Sequence, residues 1–338
     1  MRCAPSFHSF QPVPMLSSKV IVITGASSGI GRATALALAT QHQSALVLIA
    51  RRKDALEELA EVCRQRGSAV LVKAIDVSRE EDVEEAAQEA IERFGKIDVW
   101  LNNAAVSLFG RFDEIPTQDL RRLLEINLFG YIYGARAAVP QFRQQGYGTL
   151  INISSVVGLV GQPYTGGYSL SKFAIRGLSL SLAQELADEP DIHVCTVYPA
   201  VIDTPIFNQA GNYYGQEVQA PKPRIKAEQV VKVIISMIKH PREEAIVGGM
   251  GKIMRFARSV APTIFDKRYR KMIADGHFRN EQADSTTGNL FDPMPQWGKV
   301  SGGWKDSSKP DFVLPDRWLT FAGIALAGAA ISIMVSKK

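Results

Sequence analysis

Cysteine is scarce in this chain: three in 338 residues, Cys3, Cys63 and Cys195, with no C-x-x-C pair. An odd and scattered set argues against a disulfide scaffold or a zinc site and fits a reducing compartment. The five histidines (His8, His42, His193, His240 and His277) lack ligand spacing, so no catalytic metal is expected. No internal repeat is visible beyond an alternation of short apolar runs and helix-like stretches. No secretory signal is visible either, because residues 1–14 carry one Arg but no apolar run. That segment reads as a disordered leader, or as upstream sequence ahead of a start at Met15. Disorder as the dominant state is excluded by 46% hydrophobic and 22% charged residues.

What is present is unevenly placed. Between Lys222 and Ile273 there are thirteen Lys/Arg and four Asp/Glu, a local +9 against +5 for the whole chain. Within it, KIMRFARSVA and TIFDKRYRKMI each show helical spacing of apolar and cationic residues, with Pro262 between them. This basic amphipathic pair reads as a membrane-surface patch or as a solvated helix face. Nucleic acid is not expected as a partner, since no binding motif accompanies the charge. Residues 276–317 are polar and rich in Gly, Pro, Ser and Asp, as in a linker. From Trp318 to Ser336 there is no charge, with Arg317 before and Lys337 and Lys338 after. Nineteen residues at ~1.5 Å each just span a ~30 Å hydrocarbon core. The expectation is a membrane anchor helix over 318–338, the other reading being an Ala/Gly-rich helix packed on the protein.

Seven apolar runs predict strands: KVIVIT (19–24), ALVLIA (45–50), AVLVKA (69–74), DVWLNN (98–103), TLINIS (149–154), HVCTVY (193–198) and EAIVGG (244–249). The stretches between the first four carry apolar stripes at helical spacing. Near-continuous apolar strands separated by helices indicate an α/β fold, a doubly wound parallel sheet of Rossmann type with about seven strands. Such sheets bind ligands at the carboxyl ends of their strands. The expected organisation is a leader (1–14), one catalytic domain (15–275), a linker (276–317) and the C-terminal hydrophobic helix.

The first strand runs into TGASSGIG and then a helix. Gly25, Gly29 and Gly31 remove side chains where the turn tightens and the backbone approaches a phosphate. The second strand lacks what a site for NAD normally has, an Asp or Glu at its end for the ribose 2′-OH. Arg51, Arg52 and Lys53 follow instead. A guanidinium there favours a 2′-phosphate, so NADP(H) is preferred over NAD(H).

Further on, Tyr168 and Lys172 stand four apart in YSLSK and project from one helix face, and Ser155 ends the fifth strand. A phenol near pKa 10 is a poor catalyst at neutral pH unless a nearby ammonium stabilises the phenolate. A serine hydroxyl can hold the carbonyl oxygen that receives hydride. The three together suffice to interconvert an alcohol and a ketone without metal.

TGASSGIG, the NNAA at 102–105, Asn127, Ser155 and YSLSK together resemble the short-chain dehydrogenase/reductase family over roughly residues 17–250. The resemblance implies Tyr168 as general acid/base, Lys172 as ribose ligand and modulator of the tyrosine, and Ser155 as holder of the substrate carbonyl. It implies that Asn127 holds a water in the proton relay. It also implies cofactor contacts from Gly25, Ser27, Ser28, Gly29, Ile30, Gly31, Arg51, Arg52, Asp76, Val77, Asn103, Ala104, Tyr168, Lys172, Pro199, Ile202 and Thr204, and a homo-oligomer. One departure stands out: Pro199-Ala200 where the family usually has Pro-Gly, which puts the nicotinamide end in question.

The reading is thus an NADP(H)-dependent oxidoreductase acting on a carbonyl or secondary alcohol. The alternative is a catalytically silent nucleotide-binding scaffold or redox sensor; an epimerase or dehydratase on the same fold is a third possibility. Residues 205–225 read as a mobile substrate lid. With the tail, this favours a lipid-like substrate and a membrane-associated protein whose catalytic domain lies in the cytoplasm, or else a soluble cytoplasmic one.

Overall fold

Alternate residues along the strands face opposite ways, and here both faces are apolar. Ile21, Ile23, Leu46 and Leu48 point to one side of the sheet, and Val20, Val22, Val47 and Ile49 to the other. A sheet with two apolar faces is stable only when helices cover both. The computed structural model describes residues 19–42 and 44–304. Each of the seven expected runs forms a strand: β1 (Val20–Thr24), β2 (Ala45–Ala50), β3 (Val70–Ala74), β4 (Val99–Asn102), β5 (Gly148–Ile153), β6 (Ile192–Pro199) and β7 (Glu244–Val247). All pair in parallel, in the order β7-β6-β5-β4-β1-β2-β3.

One face is covered by α1 (Gly29–His42), α2 (Lys53–Gln65) and α7 (Ala227–Lys239), through residues such as Leu38, Leu59 and Ile234. The other is covered by α3 (Glu80–Phe94), α4 (Thr117–Leu124), α5 (Gly130–Gln145) and α6 (Gly166–Glu185). Helix α3 opens on Glu80, Glu81 and Asp82, which suit its positive end, and stops at Gly95 in the left-handed region (φ 77°). A π-helical stretch, Glu125–Phe129, joins α4 to α5.

The chain leaves the sheet in opposite directions on either side of β1 and β4, and a crevice opens at their carboxyl ends. The Thr24 hydroxyl closes the floor of that crevice. It accepts from the backbone N–H of Asn103 (2.9 Å) and Ala104 (3.1 Å), while Asn103 Nδ2 donates to the Thr24 carbonyl (2.9 Å).

Two expectations change. The basic pair does form helices, α8 (Met250–Val260) and α9 (Pro262–His277), but α9 turns Tyr269, Ile273 and His277 into the domain. The stretch expected as a linker is, over 276–304, laced to the domain: Phe278–Gln282 pairs antiparallel with Gln216–Val218, and residues beyond it bond to the core. Backbone hydrogen bonds, invisible to composition, hold it there.

The expected membrane contact and transmembrane helix are likewise corrected, because no helix among the described residues is long and apolar enough to cross a membrane. Residues 1–14, 305–317 and 318–338 lie outside the described residues.

A buried polar chain fixes the sheet centre. Asn102 accepts from Trp100 Nε1 (2.9 Å) and donates to the Tyr131 carbonyl (3.1 Å) and Asn152 Oδ1 (3.0 Å); Asn152 donates to Ser179 (2.9 Å). Asn102→Leu removes these bonds from buried Trp100, Tyr131 and Asn152 and is expected to destabilise the fold by about 2–4 kcal/mol. Urea unfolding checks this as a lower midpoint at unchanged slope.

Candidate active site

The turn after β1 needs its glycines. A Cβ on Gly25, which has φ +68°, would stand 2.8 Å from the Ala104 Cα, and one on Gly31 would meet the Gly25 carbonyl oxygen at 2.5 Å. Gly29 has φ +54°. The bare backbone is therefore close-packed at the start of α1, the end of a helix that attracts an anion, where the Gly29 N–H meets the Lys299 carbonyl (2.8 Å).

One continuous cavity runs from this turn along the strand ends, with about 1530 Å³ of atom-free space, part of it open to solvent. Gly25, Ser27, Ser28, Gly29 and Ile30 line it, as do Arg51, Arg52, Asp76, Val77, Asn103 and Ala104. Ser155, Tyr168, Lys172, Pro199, Ile202 and Thr204 complete the expected set. Two expected residues do not line it. Gly31 faces inward against Gly25. Asn127 is fully buried and its amide is spent on protein: Oδ1 accepts from Val106 N (2.8 Å), and Nδ2 donates to the Val106 carbonyl (2.8 Å) and Ser171 (3.3 Å).

At one end two guanidiniums lie close together. Burial lowers the pKa of Arg52 to about 10, with the charges of Arg51 and Arg32 adding to it. Burial also lowers Arg51, while Asp76, at 4.0 Å, opposes the shift. Burial alone would raise the Asp76 carboxyl, but the Ser78 backbone and hydroxyl and the Arg122 guanidinium bring it below the usual value. That end carries an excess of positive charge, a suitable host for phosphate.

At the other end, Ser155 leaves β5 and caps a short 3-10 turn, Val156–Gly158. The turn lies tight on α6: a Cβ on Gly158 would meet the Lys172 carbonyl oxygen at 2.7 Å, and Ser154 Oγ donates to that carbonyl (3.0 Å). Lys172 Nζ donates to the Ile153 carbonyl (2.9 Å) and to the Tyr131 hydroxyl (3.4 Å), and lies 5.4 Å from the Tyr168 ring centroid. The electrostatics differ from the expectation. Burial pushes Tyr168 up to about 12, with a hydrogen bond from Ser155 opposing, and pushes Lys172 down to about 7. Desolvation by burial is the leading cause of both shifts.

Sequence reasoning missed the wall beyond these residues. Phe109, Phe207 and His277 line the cavity, with His277 5.3 Å and 5.8 Å from the two phenyl centroids. His277 Nδ1 is buried without a partner, and burial lowers the ring to about 4, so it is neutral. It lies at the end of α9, in a stretch whose composition carries no signal. The Ala200 departure is absorbed by its neighbour. Ala200 is not in the left-handed region, and Gly248 (φ +97°) makes room for it, since a Cβ there would lie 2.9 Å from the Ala200 methyl. The lid expectation changes too: Gly211–Asn212 pairs with Leu108–Phe109, and Asn212 exchanges backbone bonds with Thr286.

Residues 19–214 match the family model for short chain dehydrogenase. The chain belongs to the short chain dehydrogenase family. Among its relatives is the uncharacterized oxidoreductase YxnA of Bacillus subtilis, 35% identical over 80% of this chain and 76% of that protein. The 3-ketodihydrosphingosine reductase of Bos taurus is 31% identical over 72% of this chain and 75% of its own length. An alcohol dehydrogenase from Thermococcus sibiricus, solved with 5-hydroxy-NADP, is similar in structure. Its TM-score is 0.58 at 33% identity, over 68% of this chain and 95% of that one. As a short chain dehydrogenase the protein is an NAD(P)-dependent oxidoreductase with a cavity shaped for a dinucleotide.

The lowered Lys172 sets a stability signature. Unfolded, the amine keeps its proton to about 10.5; folded, it gives it up near 7. The stability it contributes is therefore present above about 10.5 and lost as pH falls through about 7. Relative to Lys172→Met, the wild type is expected to gain several kcal/mol from pH 7 to 10. Urea titrations of both proteins across that range check it, and parallel curves contradict it.

Proposed function

We propose that the protein interconverts a carbonyl compound and its secondary alcohol with NADP(H), Tyr168 serving as the general acid/base. The observation that carries this reading is the joining, in one cavity, of Ser155, Tyr168 and Lys172 at one end with Arg51 and Arg52 at the other. The bound nicotinamide supplies or accepts the hydride. On reduction, Tyr168 gives its phenolic proton to the substrate oxygen, which Ser155 holds by a hydrogen bond; on oxidation the proton returns. Lys172, which still carries its proton in part near pH 7, stabilises as ammonium the phenolate left behind. Its hold on the Ile153 carbonyl keeps it facing Tyr168 and the ribose side. Asn127 acts at one remove, positioning the Val106 loop and α6 rather than touching the reacting atoms.

The wall of Phe109, Phe207 and a neutral His277 favours an apolar substrate, and the name of the bovine relative points to a long-chain ketone. A second reading, a nucleotide-binding scaffold or redox sensor without turnover, draws on one observation: burial holds the Tyr168 phenol at about 12. A positive charge brought beside the phenol removes that objection.

Tyr168→Phe decides between them. It is expected to bind NADPH as the wild type does and to lose about a thousandfold in kcat on a panel of long-chain ketones. Unchanged biological activity in this variant supports the scaffold. Arg51→Ala tests the cofactor: the ratio of KM for NADPH to KM for NADH should rise about tenfold to a hundredfold. Equal effects on both dinucleotides overturn the NADP(H) preference.

A further inference from the structure

Residues 286–304 form a strap across the end of the cavity lined by Arg51, Arg52 and Asp76. Arg51 donates to three of its carbonyls, those of Asn289, Leu290 (3.1 Å) and Phe291 (2.8 Å). Arg52 donates to the Met294 carbonyl (3.0 Å) while also holding Gln209 (2.7 Å) and Ser27 (2.9 Å). The Gly29 N–H, at the start of α1, donates to the Lys299 carbonyl (2.8 Å). The strap thus touches the turn and both arginines. It does not fill the space beneath, since Asn289 and Pro293 line the same cavity as Gly29 and Tyr168.

Both ends are fastened, the first of them also through Leu290, which is packed in the core, and the middle is held through its own carbonyls. At one end Thr286 and Asn212 exchange backbone bonds (2.8 and 2.9 Å). At the other, Asp203 accepts from Ser301 Oγ (2.6 Å), Gly302 N (3.0 Å) and Trp304 N (3.1 Å). Gly288 (φ +56°) and Gly303 (φ +83°) stand at the two ends, in a region that glycine enters without strain and where a chain can bend. Between them, five carbonyls meet donors of the nucleotide site.

We propose that residues 291–299 are a moving wall of the dinucleotide site: the strap orients the Arg51 and Arg52 forks over the cavity, and lifts for the dinucleotide to enter or leave. The inference rests on the dinucleotide occupying this cavity and is independent of which dinucleotide is preferred.

The structure supplies a lock for testing it. A Cβ on Gly298, which has φ −70°, would lie 3.1 Å from the Ala55 Cβ on α2, so a cysteine pair can close there with a shift of a few tenths of an ångström. Neither residue lines the cavity. The full chain carries Ala55→Cys, Gly298→Cys and Cys3→Ser; Cys63 and Cys195 are buried. Stopped-flow fluorescence of NADPH, and separately of NADH, is measured on the oxidised protein and on the same protein reduced. Oxidation is expected to slow association and dissociation of both by about tenfold or more, and reduction to restore them. Equal rates in the two states overturn the proposal. So does a pair that fails to cross-link under oxidant, since 55 and 298 are then not adjacent in solution. Slowing of both dinucleotides while Arg51→Ala leaves cofactor choice unchanged keeps the strap and rejects the NADP(H) preference. As a measurement without mutation, hydrogen exchange of the wild type should show amides of 286–304 gaining protection on adding NADPH; no change counts against the strap.

Discussion

The crevice depends on a side chain too small to be noticed in it. Where the order of the sheet reverses, β1 and β4 lie side by side while their following segments part, and nothing in strand pairing holds those segments in register. The Thr24 hydroxyl does so, receiving two backbone N–H groups from beyond β4, and Asn103 returns a bond to the Thr24 carbonyl. With that floor fixed, Gly25 is pressed against Ala104 and Gly31 against Gly25, and the start of α1 can only point along the crevice. The glycines are then a consequence of the closeness as much as its cause.

The opposite end is organised by dryness. The Ile153 carbonyl, at the end of β5, receives both the Lys172 ammonium and the Tyr131 hydroxyl. An amine without water around it is a weak cation, and a phenol in the same place is a weak acid. The pair is held apart in proton affinity until another charge arrives. In the proposed reaction, proton transfer is in this way coupled to occupancy of the neighbouring space, without any moving part in the pair itself.

Much of this was legible in the sequence, for a physical reason. Strands buried on both faces must be apolar throughout, and all seven runs announced themselves that way. The glycine turn and the Tyr-Lys spacing are tied to fixed backbone geometry, so their positions in the chain determine their positions in space. Other features left no such trace. The residues after Phe278 bind through backbone carbonyls, which every residue owns, so a Gly- and Pro-rich segment that looks like a linker reads the same whether packed or free. His277 is one imidazole with no partner in sequence. The sign of the Tyr168 shift depends on how much water remains, which spacing does not encode. Asn127 was found by its motif, yet its amide is occupied by Val106 and not by the cavity.

The backbone character of the strap has an outcome for divergence. Contacts made by carbonyls survive almost any side-chain replacement short of proline, and Phe291 is already 44% exposed. The outer surface of the strap can therefore change in charge and shape while the carbonyls that meet Arg51, Arg52 and Gly29 stay in place.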